Sequence, residues 1–125
     1  MNKRPLILVV EQNLHNLEIL NFHLKTLDFS CICTKQGMKA LNLAQVHKPD
    51  LILLDIMLPD MSSLEVISYL RQNPETGKIP IIAITAVTSL EERDLIFLTG
   101  ADDCVIKPYN LNELEIVIRR YLNHW

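Results

Sequence analysis

Short apolar runs alternate along the chain with segments whose apolar residues recur every three or four positions. The runs predict five strands, at residues 6–10, 29–34, 51–54, 79–85 and 104–107. The runs at 6–10 and 51–54 contain no polar residue, which is typical of strands buried on both faces of a parallel sheet. Strands with one face in water would instead alternate polar and apolar residues.

The segments between the strands predict five helices. In the first, Leu17, Leu20 and Leu24 fall at three- and four-residue steps with polar residues between them, as in an amphipathic helix. Asn13 is a suitable N-cap for this helix, and Gly100 is a suitable end for the fourth. Further helical patterns follow at residues 38–44, 62–72, 89–98 and 110–121.

Five strands alternating with five helices predict an α/β fold: a doubly wound five-stranded parallel sheet with helices on both faces and right-handed crossovers. The 125 residues are enough for one domain, residues 1–125, and too few for two. Hydrophobic residues make up 49% of the chain and charged residues 22%, a composition typical of globular proteins that argues against disorder.

The net charge of −3 gives no basic footprint for nucleic acid, and no apolar run reaches the length of a membrane span. The apolar run after Arg4 is also too short for a signal peptide, because it meets Glu11. We therefore expect a soluble, cytoplasmic protein. Cys31, Cys33 and Cys104 form an odd set, which does not favour disulfides.

Polar side chains mark the ends of four predicted strands. Glu11 and Gln12 follow the first strand, Asp55 the third, Thr85 closes the fourth, and Lys107 closes the fifth. In a parallel sheet these ends meet at one edge, where α/β proteins bind ligands. Singly, each residue has an ordinary structural explanation, such as a helix cap for Asp55 or a surface position for Lys107. Together they fit a site for a hard cation and a phosphoryl group.

This set resembles that of response-regulator receiver domains over essentially the whole chain. The matching segments are the acid after the first strand and residues 55–61, 84–86, 100–103 and 107–109. The resemblance implies the flavodoxin-like strand order 2-1-3-4-5. It also implies that Asp55 accepts a phosphoryl group from a histidine kinase or phosphotransfer protein and becomes an aspartyl phosphate. The domain would then be a signalling phosphoacceptor in a two-component phosphorelay rather than an enzyme.

The resemblance also implies a magnesium site. Its ligands would be Glu11, Gln12, Asp55 and the backbone carbonyl of Met57. Thr85 would hydrogen-bond the phosphoryl group, and Lys107 would pair with it. Most receivers have two adjacent aspartates after the first strand, whereas the amide of Gln12 brings no charge to offset the cation. We therefore expect Mg²⁺ to bind weakly.

Two further departures affect the acceptor loop and the switch. Ser63 stands where receivers usually have a glycine, at a position that often needs glycine's backbone freedom. Cys104 stands where they commonly have a Tyr or Phe that swings inward on activation, so any signal is expected to run through Thr85 and the loop after Ala86. The resemblance also predicts a cis peptide bond between Lys107 and Pro108.

Two alternatives stay open at this point. A degenerate receiver would act as a phosphorylation-independent binding module. An enzyme on the same fold is disfavoured, because the chain has no glycine-rich phosphate loop.

For the downstream partner or self-association, we expect a face formed by helix four, strand five and helix five. The residues that favour this face are Arg93, Asp102 and Arg119, which look exposed, and the apolar Ile96 and Phe97.

Overall fold

The computed structural model describes residues 4–86 and 89–122, which form five strands and five helices. In chain order they are β1 (Leu6–Val10), α1 (Leu14–Thr26), β2 (Ser30–Thr34), α2 (Gly37–His47), β3 (Leu51–Asp55), α3 (Ser63–Gln72), β4 (Ile81–Thr85), α4 (Leu90–Thr99), β5 (Asp103–Ile106) and α5 (Leu111–Tyr121). The strands pair in parallel in the order β2-β1-β3-β4-β5. The predicted fold class and strand order are therefore confirmed.

The strand register brings the carboxyl ends of β1, β3, β4 and β5 to one edge of the sheet. Val10 pairs with Leu54, and Thr85 pairs with Ile106. Asp55, one residue beyond Leu54, pairs with Ile84. The residues that follow these strands must therefore emerge side by side, as the sequence pattern indicates.

The sheet buries apolar side chains on both faces, and β3 runs through the middle. Leu51 and Leu53 pack on the face covered by α1 and α5, whereas Ile52 and Leu54 pack on the face covered by α2, α3 and α4. All four side chains are fully buried. A continuous apolar run is thus what a central strand of this fold requires.

Two asparagines and a glycine mark helix ends where the sequence predicts them. Asn13 caps α1 by accepting the backbone N–H of Asn16, and Asn110 caps α5 by accepting that of Glu113. Gly100 ends α4 with φ of 135°, a conformation that is strained for residues with a side chain. The helices that border the functional edge therefore begin and end at defined residues.

A network centred on Arg71 holds the opposite edge of the sheet. From the last turn of α3, the guanidinium donates to the carbonyls of Gly77, Ile79 and Gly100 at 2.7–3.1 Å. It also pairs with the Asp102 carboxylate at 2.7 Å, and the same carboxylate oxygen accepts the backbone N–H of Ile81. One side chain thus joins α3 to the segments that enter β4 and β5.

The residues that favoured the partner face differ in their exposure and contacts. Ile96 is buried in the core under α4, and Asp102 is engaged by Arg71. Arg119 stacks over the Phe29 ring at 5.3 Å and pairs with Glu115. Asp102 and Arg119 are exposed, as expected, although both have neighbours. The expectation was wrong for Ile96, which is buried, and for Arg93, which is half-buried, because helical spacing alone does not tell which side chain a neighbour covers. Phe97 is exposed, as expected.

Candidate functional site

Asp55 lies at the end of β3 with its side chain fully buried. Its Oδ1 accepts the backbone N–H of Met57 at 2.9 Å, and its Oδ2 lies 3.2 Å from Nζ of Lys107. These contacts offset part of the cost of burying a carboxylate. Because the loop holds Oδ1, Oδ2 is the oxygen that faces the polar centre of the site.

Glu11 follows β1 and is buried beside Asp55. Its Oε2 accepts the backbone N–H of Asn13 at 2.9 Å, whereas Oε1 has no hydrogen-bond partner among the described residues. Burial raises the pKa of Glu11; the hydrogen bond from Asn13 lowers it, and the Asp55 carboxylate raises it again. The nearest cation, the Lys107 ammonium, lies 3.6 Å from Oε1, beyond hydrogen-bond length, so this buried oxygen can still bind a further cation.

Lys107 supplies the cation of the site. Its Nζ lies 3.2 Å from Oδ2 of Asp55 and 3.6 Å from Oε1 of Glu11, the second being too long for a hydrogen bond. Its backbone N–H donates to the carbonyl of Thr85 at 2.7 Å, which ties the end of β5 to β4. The predicted cis peptide before Pro108 is confirmed. One ammonium thus faces two buried carboxylates.

Thr85 and Tyr109 complete the enclosed side of the site. Thr85 is buried at the end of β4, on the edge that carries Asp55. Burial raises the pKa of Tyr109 to about 12, and the carboxylates of Glu11 and Asp55 add to the shift, so its phenol stays neutral near pH 7. The sequence reading gave Tyr109 no role; its place directly after Lys107-Pro108 was the available signal.

Gln12 and Met57 lie on the open side. Both are exposed, and both border a cleft of about 410 Å³ lined by residues 56–62 of the loop after β3. The Gln12 side chain is therefore accessible but is not part of the buried cluster around Asp55. The first two residues of the predicted signalling loop after Ala86, 87 and 88, lie outside the described residues.

The donor set fits Mg²⁺, although it is poor in charge. Asp55 and Glu11 offer carboxylate oxygens, including Oε1, which accepts no hydrogen bond from any described residue. The described part of the chain contains no cluster of three or more His, Cys, Asp or Glu that could hold a metal. Mg²⁺ commonly uses one or two carboxylates and keeps several waters. The two acids, with the Met57 carbonyl and the Gln12 amide oxygen, are the groups that would hold it.

Ser63 does not need glycine's backbone freedom. It is the first residue of α3, and the described non-glycine residues with positive φ are Asp28 and Lys48. Its buried hydroxyl instead donates towards the backbone carbonyls of Asp55 and Ile56 at 2.7 and 2.9 Å. The expectation of a backbone constraint was wrong. No local sequence pattern indicates the observed contact, because it joins residues seven and eight positions apart.

Cys104 lies on β5, half-buried and directed to the side of α4. Burial raises the pKa of its thiol, and the charge of Arg93 lowers it. The thiol is therefore protonated near pH 7, and it has no ring that could swing between an exposed and a buried position. The structure thus contains a small neutral side chain where most receivers have an aromatic one.

The sequence of this chain is similar to those of known response regulators. The family model of the response regulator receiver domain matches residues 7–119. The polar-differentiation response regulators DivK of Brucella anthropi and Brucella ovis are 34% identical over 116 residues, which is 93% of this chain and 94% of theirs.

Solved structures of receiver domains and response regulators have the same fold as this chain. A receiver domain of a sensor histidine kinase from Pseudomonas aeruginosa, with a magnesium ion in its active-site cleft, is 26% identical with a TM-score of 0.89, over 97% of this chain and 99% of that one. A response regulator from Chloroflexus aurantiacus is 26% identical with a TM-score of 0.91 over the same shares. Among the described helices, none has the length and apolar character needed to cross a membrane.

Proposed function

We propose, for a chain that belongs to the response regulator receiver domain family, that Asp55 accepts a phosphoryl group from a histidine kinase or phosphotransfer protein in the cytoplasm. The observation that carries the proposal is the pairing at the centre of the site. Oδ2 of Asp55 faces the Lys107 ammonium at 3.2 Å, and Oε1 of Glu11, which accepts no hydrogen bond among the described residues, lies 3.6 Å from the same ammonium. A nucleophilic oxygen, an ammonium and a second carboxylate that can bind a metal ion are the groups that phosphoryl transfer to a carboxylate requires.

In the proposed reaction, Oδ2 attacks phosphorus, and the bond from phosphorus to the donor's nitrogen or oxygen breaks. The donor leaves with that electron pair, and Asp55 becomes an acyl phosphate. Lys107 moves its contact from the carboxylate to a phosphoryl oxygen, and the Thr85 hydroxyl donates to another. A bound Mg²⁺ supplies positive charge that offsets the charge of the phosphoryl group. Hydrolysis of the acyl phosphate returns the free carboxylate.

The test is intact-mass spectrometry after treatment with acetyl phosphate across a Mg²⁺ titration. The wild-type chain is expected to gain one phosphoryl group, and Asp55→Asn is expected to gain none because an amide is not a nucleophile for phosphorus. Gln12→Asp adds a charge beside the metal and is expected to lower the Mg²⁺ concentration for half-maximal labelling by about tenfold. Gln72→Asp, a similar change at the exposed end of α3, is the matched control.

The same experiment distinguishes the phosphoacceptor function from the alternative function. A receiver whose described residues contain no cluster of three or more metal-ligating side chains could serve as a phosphorylation-independent binding module. If neither acetyl phosphate nor a cognate kinase labels the wild type, while Gln12→Asp is labelled, the phosphoacceptor proposal fails and the binding module replaces it. If Gln12→Asp needs as much Mg²⁺ as wild type, the proposal that Gln12 weakens metal binding fails separately.

The second part of the proposal is a protein-binding face made by α4, β5 and α5, which serves a downstream protein or a second copy of the chain. This face is supported by four large apolar side chains that are exposed on α4 and by Ile116 on α5, which is 60% exposed. Those on α4 are Leu90, Leu95, Phe97 and Leu98. So many exposed apolar groups on ten residues are more than the scattered ones of an ordinary surface.

We expect Leu98→Glu to weaken association of the phosphorylated chain by about tenfold or more, because a charge replaces a side chain that is 84% exposed before binding. Sedimentation of the phosphorylated protein measures self-association directly. Met38→Glu, at an exposed apolar residue of α2, is the control and should have no effect. An interface that maps entirely to α2 would contradict the proposed face.

A further inference from the structure

We infer that Ser63 is a positioning residue that sets the orientation of the Asp55 carboxylate, an inference that rests on the phosphoacceptor role proposed above. The Ser63 side chain is 2% exposed, and its Oγ lies 2.7 Å from the carbonyl oxygen of Asp55 and 2.9 Å from that of Ile56. A hydroxyl has one proton to donate, and here it is shared between two neighbouring carbonyls. Both belong to the segment that carries the acceptor.

These carbonyls lie in the two peptide groups that flank Ile56. In the first, the carbonyl of Asp55 accepts from Ser63, and the N–H of Ile56 donates to the carbonyl of Ile84 on β4 at 2.9 Å. In the second, the carbonyl of Ile56 accepts from Ser63, and the N–H of Met57 donates to Oδ1 of Asp55 at 2.9 Å. The peptide group between Ile56 and Met57 is therefore bound on opposite sides by the Ser63 hydroxyl and the Asp55 carboxylate.

A rotation of that plane would break both hydrogen bonds together. While the plane is fixed, Met57 holds Oδ1, and Oδ2 is left facing Lys107 at 3.2 Å. The hydrogen bonds at the two edges also polarise one another through the peptide group. Removing the Ser63 hydroxyl frees the plane to turn and lets the carboxylate rotate about its last torsion, so the attacking oxygen loses its fixed place.

The far end of the same loop has a separate anchor. The Asp60 carboxylate accepts the backbone N–H groups of Gly37 and Met38, at the start of α2, at 2.8 and 3.0 Å. This contact does not involve Ser63. The loss of the Ser63 hydroxyl should therefore loosen the peptide beside Asp55 without releasing the whole loop, and the effect should be local.

Ser62 provides a matched control. It is also a serine, it precedes Ser63, and its exposed hydroxyl accepts the backbone N–H of Leu64 at 3.2 Å as the N-cap of α3. Ser62→Ala removes a hydroxyl of the same size and weakens the same helix. It leaves the hydrogen bonds of Ile56 and Met57 in place, so it reports what a structural loss at this helix start does by itself.

The experiment compares Ser63→Ala and Ser62→Ala by hydrogen exchange of the Met57 amide and by the rate of labelling with acetyl phosphate at saturating Mg²⁺. In Ser63→Ala, we expect Met57 exchange about tenfold faster and labelling about tenfold slower than in wild type. In Ser62→Ala, both should stay within about twofold of wild type. Should Ser63→Ala not fold, Ser63→Gly, the residue usual in the family, removes the same hydroxyl.

Equal Met57 exchange and equal labelling in the two variants would overturn the inference and leave Ser63 a helix-start residue only. Unchanged labelling with faster Met57 exchange would also overturn it, because the hydroxyl would then hold the peptide without affecting the acceptor. If the wild type takes up no phosphoryl group, the proposed function fails. The Met57 exchange then decides the inference alone, because its hydrogen bond to Asp55 exists without phosphorylation.

Discussion

Replacing Lys107 by methionine is expected to slow labelling of Asp55 by about a hundredfold or more, because the variant loses the ammonium that pairs with both carboxylates of the site. The same change should destabilise the metal-free protein at pH 7 by about 2–3 kcal/mol, since it leaves the buried carboxylates of Asp55 and Glu11 facing each other without a counter-charge. Methionine keeps most of the length of the apolar stem, so the packing around it is largely preserved.

The stability loss should depend on pH. The folded-state pKa of Glu11 is raised by burial and lowered by Lys107, so the variant raises it further. A carboxyl whose pKa is higher in the folded state than in the unfolded state binds more protons when folded, and stability falls as pH rises through the folded-state pKa. The penalty of Lys107→Met should thus be full at neutral pH and shrink below the ordinary value near 4.5, where Glu11 is protonated.

Urea unfolding at pH 4 and pH 7, together with acetyl phosphate labelling, measures both effects. Lys78→Met, at an exposed lysine in the segment before β4, is the matched control and should change neither. A Lys107→Met variant that is labelled at the wild-type rate would contradict the proposed role of the ammonium. A penalty of equal size at both pH values would show that lost packing, rather than charge, causes it.

The sequence predicts the fold and the convergence of the site because both follow from local patterns. A continuous apolar run such as 51–54 predicts a strand that is buried on both faces, as observed. Parallel pairing of such strands brings Glu11, Asp55 and Lys107 to one edge of the sheet. The order of the strands came from the resemblance to a family, because no local pattern specifies which strands are neighbours. The cis peptide at Pro108 was expected on the same ground.

Contacts between a side chain and a distant backbone group could not be predicted. The hydroxyl of Ser63 finds the carbonyls of Asp55 and Ile56 only because the loop after β3 turns back on itself. Asp102 is exposed, as predicted, but its carboxylate also pairs with Arg71, 31 residues away. Every backbone carbonyl is the same acceptor in the sequence, so nothing in the residue types tells which one a donor will meet.

The Arg71 network therefore gives the second large prediction. Arg71→Met should lower the free energy of unfolding by about 3 kcal/mol. The Arg71 side chain is 21% exposed, and its guanidinium donates to three backbone carbonyls and to Asp102. The methionine stem can fill the space of the arginine stem, but it cannot donate to these acceptors, and it leaves them partly shielded from water without a partner.

Urea unfolding of the metal-free protein measures this change, and Arg120→Met is its control. Arg120 also pairs with an aspartate, Asp103, but at 3.4 Å and with a side chain that is 61% exposed, so its loss should cost less than about 1 kcal/mol. If the two variants lose equal stability, the backbone carbonyls add nothing to the ion pair, and the network is an ordinary surface salt bridge. If Arg71→Met loses far more, those carbonyls are what tie α3 to β4 and β5.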